Sequence, residues 1–158
     1  MAKPNPPLQA ARNVPHLEPD VGALLLSLVE AAQAGALSEV PVGAVVRDRH
    51  GRFLAQAGNR PVTDGDPAGH AEMRAIRQAA ARVGNYRLVD AHLTTTLEPC
   101  PMCLETSRLT RFANIAFGIT RTRDGWPSPP HLGKVANTAC AGEIVRMLKF
   151  FFEPKRFI

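Results

Sequence analysis

The chain has 158 residues, 45% of them apolar, and a formal net charge of +5. That length suits one domain, and the apolar share excludes a disordered chain. The basic balance favours anionic partners, and three cysteines, two of them in Cys-x-x-Cys, do not make a secreted disulfide frame.

Residues 1–19 carry Pro4, Pro6, Pro7, Pro15 and Pro19 and read as a flexible arm. Residues 20–158 then form one domain. Val21, Leu24, Leu25, Leu28, Val29 and Ala32 make a stripe at helical spacing, with Asp20 to cap its start and Gly35 its end. The apolar run 23–29 is far too short to span a bilayer, so a cytoplasmic protein without membrane contact is expected. Val42 to Arg47 reads as a buried strand, Asp48 to Gly51 as a turn, and Phe53 to Ala57 as the strand that pairs back. Gly58 to Gly69 is rich in Gly, Pro, Asn and Asp and reads as loop. A helix follows from His70 to Val83, stopped by Gly84. His92 to Leu97 is a third strand, Cys100 to Leu109 a short helix, and Ile115 to Ile119 a fourth strand. Arg121 to Gly133 is a Pro/Gly loop, Lys134 to Thr138 a weak fifth strand, and Ala141 to Phe152 a last helix ended before Pro154. Its inward stripe is Ile144, Val145, Leu148, Phe151 and Phe152, with Phe150 outward beside Arg146 and Lys149. Alternating strands and helices argue for a layered α/β domain.

The chemistry concentrates in two places. In Pro99-Cys100-Pro101-Met102-Cys103, Pro101 suits the first position of a helix. Residues three apart then face the same way, so both sulfurs can reach one ion. The free amides of a helix start favour the thiolate that binds metal. Two thiolates leave a tetrahedral site incomplete; His70 can supply a third ligand and leave the fourth position for water. A redox pair is the competing reading of Cys-x-x-Cys. A structural zinc site is another, with Cys140, His16, His50, His92 or His131 as fourth ligand. Glu72 heads the stripe Ala75, Ile76, Ala79, Ala80 and Val83, while Arg74, Arg77, Gln78 and Arg82 take the other side. A carboxylate on a core-facing stripe is costly unless paired, and one reading is a helix-start carboxylate aided by free amides. As an acid/base in a dry pocket it would have its pKa raised towards working pH.

His70-Ala71-Glu72 followed by Pro99-Cys100-x-x-Cys103 resembles the cytidine-deaminase-like zinc deaminases. Glu39-Val40-Pro41-Val42-Gly43-Ala44-Val45, Gly58-Asn59-Arg60-Pro61, Asn85-Tyr86-Arg87-Leu88 and Thr96-Leu97-Glu98-Pro99-Cys100 resemble the bacterial tRNA adenosine deaminases within that group. The resemblance implies a three-layer α/β/α fold with a mixed five-stranded sheet and one zinc ion at the starts of two helices. It implies His70, Cys100 and Cys103 as zinc ligands and Glu72 as the catalytic acid/base. Asn59 matches a loop asparagine that contacts the base, and Ala71 a residue whose backbone N–H lies beside it. It also implies a homodimer acting on tRNA, converting adenosine to inosine at the wobble position.

The chain departs from the pattern at Gly69 before the histidine, at 104–107 after the second cysteine, across 119–128, and at Pro154 in the last basic stretch. These departures leave the zinc chemistry intact and bear on the substrate. Two further readings therefore stand beside tRNA: deamination of a free base or nucleoside such as guanine or cytosine, and a non-catalytic nucleic-acid-binding module. An intact Glu72 argues against the latter.

Overall fold

The computed structural model describes residues 19–121, 132–134 and 138–153. Among these, ten elements follow in chain order: α1 (Pro19–Ala36), β1 (Gly43–Arg47), β2 (Phe53–Gly58), α2 (Pro61–Asp64), α3 (Ala71–Val83), β3 (His92–Leu97), α4 (Pro101–Leu109), β4 (Asn114–Ile119), β5 (Leu132–Lys134) and α5 (Thr138–Phe152). The five strands lie in one sheet in the order β2-β1-β3-β4-β5. β1 runs antiparallel to both β2 and β3, whereas β3, β4 and β5 are parallel. α1 and α5 cover one face and α3 and α4 the other, which is the three-layer mixed sheet implied by the resemblance.

Strand alternation divides the core in two. Ala44, Val46, Leu93 and Ile115 point to α3, where Ala71, Ala75, Ile76 and Ala79 meet them. Ala116 points the other way, to Leu24 of α1 and Cys140 and Ile144 of α5. Cys140 is thus a small core residue. The β1–β2 turn closes as read, with the Gly51 amide donating to the Asp48 carbonyl at 2.9 Å and Gly51 at φ 78°.

Several expectations shift. The buried side of α1 is Ala23, Leu24, Ser27, Ala31 and Ala34, while Leu25, Val29 and Ala32 of the expected stripe are exposed. The reason lies in the sheet. A Cβ on Gly43 would fall 1.9 Å from the Ser27 carbonyl oxygen, and one on Gly58 2.6 Å from that of Glu30. The helix backbone therefore rests on two glycines, and only small side chains fit between. Asp20 does not merely mark the helix start: its carboxylate accepts from the Arg47 guanidinium. Pro19, counted with the arm, is the first residue of α1; residues 1–18 lie outside the described residues, as do 122–131 of the Pro/Gly loop. The fifth strand is Leu132–Lys134 instead of 134–138, and 135–137 are outside the described residues. On α5, Val145 and Phe152 are exposed, and the inward side is Cys140, Ile144 and the half-buried Leu148 and Phe151. Phe150 is outward, 82% exposed. Val83 is exposed at the end of α3.

β2 is an edge strand, and α3 guards it. Arg82 donates to the Leu54 carbonyl and Arg74 to the Gly58 carbonyl, blunting an edge that would otherwise invite another strand. The polar side of α3 is therefore a structural cover as much as a solvated face.

Gly43→Ala must push α1 off the sheet. We expect a loss of about 3 kcal/mol, the upper end of overpacking costs, and a Tm lower by roughly 6–12 °C. Gly22→Ala, with nothing within 4 Å of the new methyl, should instead gain about 0.5–1 kcal/mol from helix propensity. Thermal denaturation of the two variants checks the contrast.

Candidate metal and catalytic site

Two helix starts meet at one point. His70 is the N-cap of α3, with an extended backbone (φ −63°, ψ 150°). Its carbonyl already accepts the Arg74 amide at 3.0 Å. Cys100 is the N-cap of α4 in the same state (φ −75°, ψ 165°), followed by Pro101. An extended residue just before a helix throws its side chain away from the helical stripe. His70 and Glu72, two apart in sequence, can thus face one site although residues inside a helix at that spacing diverge.

His70 Nδ1 lies 3.5 Å from Cys100 Sγ and 3.6 Å from Cys103 Sγ, and the two sulfurs are 3.5 Å apart. A tetrahedral zinc ion with about 2.3 Å to sulfur and about 2.0–2.1 Å to nitrogen places such donors about 3.5–3.8 Å from one another. The three side chains fit that geometry as they stand. Among the described residues this is the one group of His, Cys, Asp and Glu side chains close enough to hold a metal through three donors. His50, His92 and Cys140 do not join it, and His16 and His131 lie outside the described residues. The third donor also separates this set from a bare redox pair.

The electrostatics follow from burial and proximity. Cys100 is drawn down to about 3, chiefly by the hydrogen bond from Cys103 and also by His70, which outweigh burial. Cys103, fully buried, is pushed up, chiefly by that same bond to Cys100 and then by burial and Glu72. Two sulfurs sharing one proton is an arrangement that a bound cation resolves by ionising both. His70 is raised, chiefly by its bond to Cys100, with burial opposing. Glu72, 4% exposed, is raised by burial, and Cys100 adds to the effect. A carboxyl group lifted in this way can hold and release a proton nearer neutral pH.

Ala71 is fully buried in the first turn of α3, where amides lack helical partners. Asn59 is buried at the end of β2, its amide donating to the Val42 carbonyl at 2.9 Å. The next amide, Arg60, donates to the Gly69 carbonyl at 2.9 Å, closing the loop that runs from Asn59 to His70. Gly69 has a reason to be glycine: a Cβ there would lie 2.9 Å from the Asp66 carbonyl and 3.1 Å from Pro61 Cα.

How this loop is held is not visible in the sequence pattern. It contains a helical turn, α2, and Glu39 caps it. The Glu39 carboxylate, 1% exposed, accepts from the Thr63 amide at 2.6 Å, the Thr63 hydroxyl at 2.7 Å and the Val62 amide at 3.4 Å. Arg60 and Arg74 pair with Asp64 at 3.2 and 3.5 Å, and Arg77 with Asp66 at 3.0 Å. The available signal was an acid placed just before the apolar strand entry Val40-Pro41-Val42, with Pro61 at a first helical position.

Three protein donors with a buried carboxylate beside them are the parts of a zinc-dependent hydrolase. The model of the cytidine and deoxycytidylate deaminase zinc-binding region matches residues 17–119. The chain is 37% identical over 142 residues to the tRNA-specific adenosine deaminase of Agrobacterium fabrum, covering 83% of this chain and 92% of that protein. It is 41% identical over 142 residues to the tRNA(Ile)-lysidine synthase of Deinococcus radiodurans, where it covers 82% of this chain and spans only 24% of that relative. A solved structure from work on tRNA:A34 deaminases that edit A to I at the wobble position superposes with a TM-score of 0.71 at 30% identity, over 81% of this chain and 99% of that one. The chain belongs to the cytidine and deoxycytidylate deaminase zinc-binding family, and with it to the zinc-dependent hydrolytic deaminases.

Glu39 gives a prediction with a definite sign. Burial opposes its ionisation, but the bonds from Thr63 and Val62, with Arg60 nearby, outweigh it and hold the carboxyl below its ordinary 4.5. The stability it contributes is therefore complete above about pH 4.5 and lost as pH falls through the lower folded value. Glu39→Gln should cost about 1.5–3 kcal/mol near neutral pH. Urea midpoints of wild type and variant should converge in acid.

Proposed function

We propose that the chain deaminates adenosine to inosine in a tRNA, at the wobble position, with His70, Cys100 and Cys103 holding one zinc ion and Glu72 moving the protons. The observation that carries this is the three donors at 3.5–3.6 Å with a buried carboxyl group two residues from one of them. The tRNA substrate is supported by the likeness, over most of both chains, to a protein named for that activity.

When bound, zinc supplies an open position for water and lowers its pKa, so that hydroxide is available near neutral pH. Glu72 takes the proton from the attacking water, passes it to the ring nitrogen next to the reacting carbon, and then assists departure of the amine. Water and adenosine thus yield inosine and ammonia. Asn59, fixed by Val42 and by the closed 59–69 loop, offers its side-chain amide to the base. The Ala71 amide, free of a helical partner, donates to it. The target nucleotide must leave its stack to reach a site this buried.

The chain is proposed to work in the cytoplasm as an RNA-binding homodimer. Large apolar side chains left exposed on the elements around the site, Val62 on α2 and Leu109 on α4, support the pairing. No helix among the described residues is long and apolar enough to cross a membrane.

Glu72→Ala tests the division of labour. It should keep about one zinc per chain, because the carboxylate is not a ligand, and lose roughly 10²–10⁴-fold in turnover. Elemental analysis and inosine formation in tRNA measure the two together. Loss of zinc, or faster release of ammonia from guanine or cytosine than from tRNA in the wild type, would contradict the proposal.

A further inference from the structure

The end of the sheet away from the site carries a second feature. Cys100 lies three residues past the last residue of β3, whereas the β1–β2 turn and the 84–91 loop flank its first. Six residues at about 3.3 Å each put the two ends about 20 Å apart. Between that turn and that loop lies a groove of about 340 Å³ lined by Asp48, Arg49, His50, Arg52, Arg87 and their apolar neighbours.

Its charges are unbalanced. Arg52 is paired with Asp48 at 2.7 Å. Arg49 meets only His50, Nε to Nε2 at 3.0 Å, and Arg87 lies over the Tyr86 ring at 5.1 Å. Neither has an acidic partner among the described residues. Arg82 reaches the Leu54 carbonyl at the groove wall, and Arg111 adjoins through the bond from the Asp90 amide to its carbonyl. Five cations at this end thus face two acids, Asp48 and Asp90. Three arginines of the loop beside the site, Arg60, Arg74 and Arg77, are instead matched to Asp64 and Asp66. Those three hold a loop, whereas Arg49 and Arg87 at the far end are left for a ligand.

We infer that this groove is a second RNA contact, taking backbone phosphates of a stem whose loop is engaged at the deaminase site. Clustered guanidinium groups suit phosphate oxygens, to which they can donate two parallel bonds. An A-form RNA stem of roughly seven base pairs covers about 20 Å, which matches the distance between the two ends. The inference rests on the tRNA reading proposed above.

The test is Arg49→Glu/Arg87→Glu, neither residue being part of the site. Binding of full-length tRNA and of a hairpin with a three-base-pair stem would be measured across salt, with turnover on both. We expect tRNA affinity to fall at least tenfold at low salt, and the slope of log K against log salt to flatten by about 1.5 for two lost contacts. Hairpin affinity and turnover should not change. Arg146→Glu/Lys149→Glu on α5 makes the same charge change elsewhere and should leave tRNA binding near wild type. An unchanged tRNA slope, an equal loss on the short hairpin, or an equal loss in the α5 variant would each overturn the inference. Wild type that binds tRNA with steep salt dependence yet deaminates none would sink the functional reading and not the groove.

Discussion

Two helix N-termini converge on one small volume, and the rest of the molecule is arranged to keep them there. Each start places an extended residue, His70 or Cys100, whose side chain leaves the helical path. Each also brings unpaired amides and the positive end of a dipole, which lower the cost of thiolate and carboxylate in a buried place. Without that convergence Cys103 and Glu72 would be isolated ionisable groups in a dry interior, an expensive arrangement with no return.

Holding the two starts in register is the work of the sheet and one loop. α3 packs on β1 and β2, and α4 follows β3, so the relative position of the helices is set by strand pairing. Gly43 and Gly58 let α1 press on the opposite face. The loop from Asn59 to His70 is closed by the Arg60–Gly69 bond, capped by Glu39 and pinned by Asp64 and Asp66. Asn59, the proposed base contact, and His70, the proposed metal donor, are thereby fixed by one short stretch of backbone.

The motif-bearing parts of this design were legible in the sequence, because they depend on local rules. Cys-Pro-x-Cys marks a helix start with two sulfurs on one side, and a carboxylate at the head of an alanine stripe marks α3. Strands β1 to β4 were visible within a residue or so at each end. What was not legible depends on contacts between distant segments. The face of α1 could not be read, since Leu25 and Val29 outweigh Ala23 and Ala31 in any hydrophobic count, and the glycines that decide the matter sit in strands 43–58. α2 is four residues long and exists because Glu39, more than twenty residues away, satisfies its amides. The position of β5 was misread for a similar reason: Leu132–Lys134 is strand through its pairing with Ile115–Phe117, and not through composition.

One imidazole and two thiolates sharing an ion that keeps a place for solvent is the arrangement on which the proposed chemistry depends. X-ray absorption at the zinc edge of the zinc-loaded protein addresses it directly. That arrangement should give two sulfur neighbours at about 2.3 Å and two nitrogen or oxygen neighbours at about 2.0–2.1 Å. Its near-edge shape should change when a small anion displaces the solvent ligand. A shell of three or four sulfurs, or four protein ligands with no exchangeable position, would contradict it.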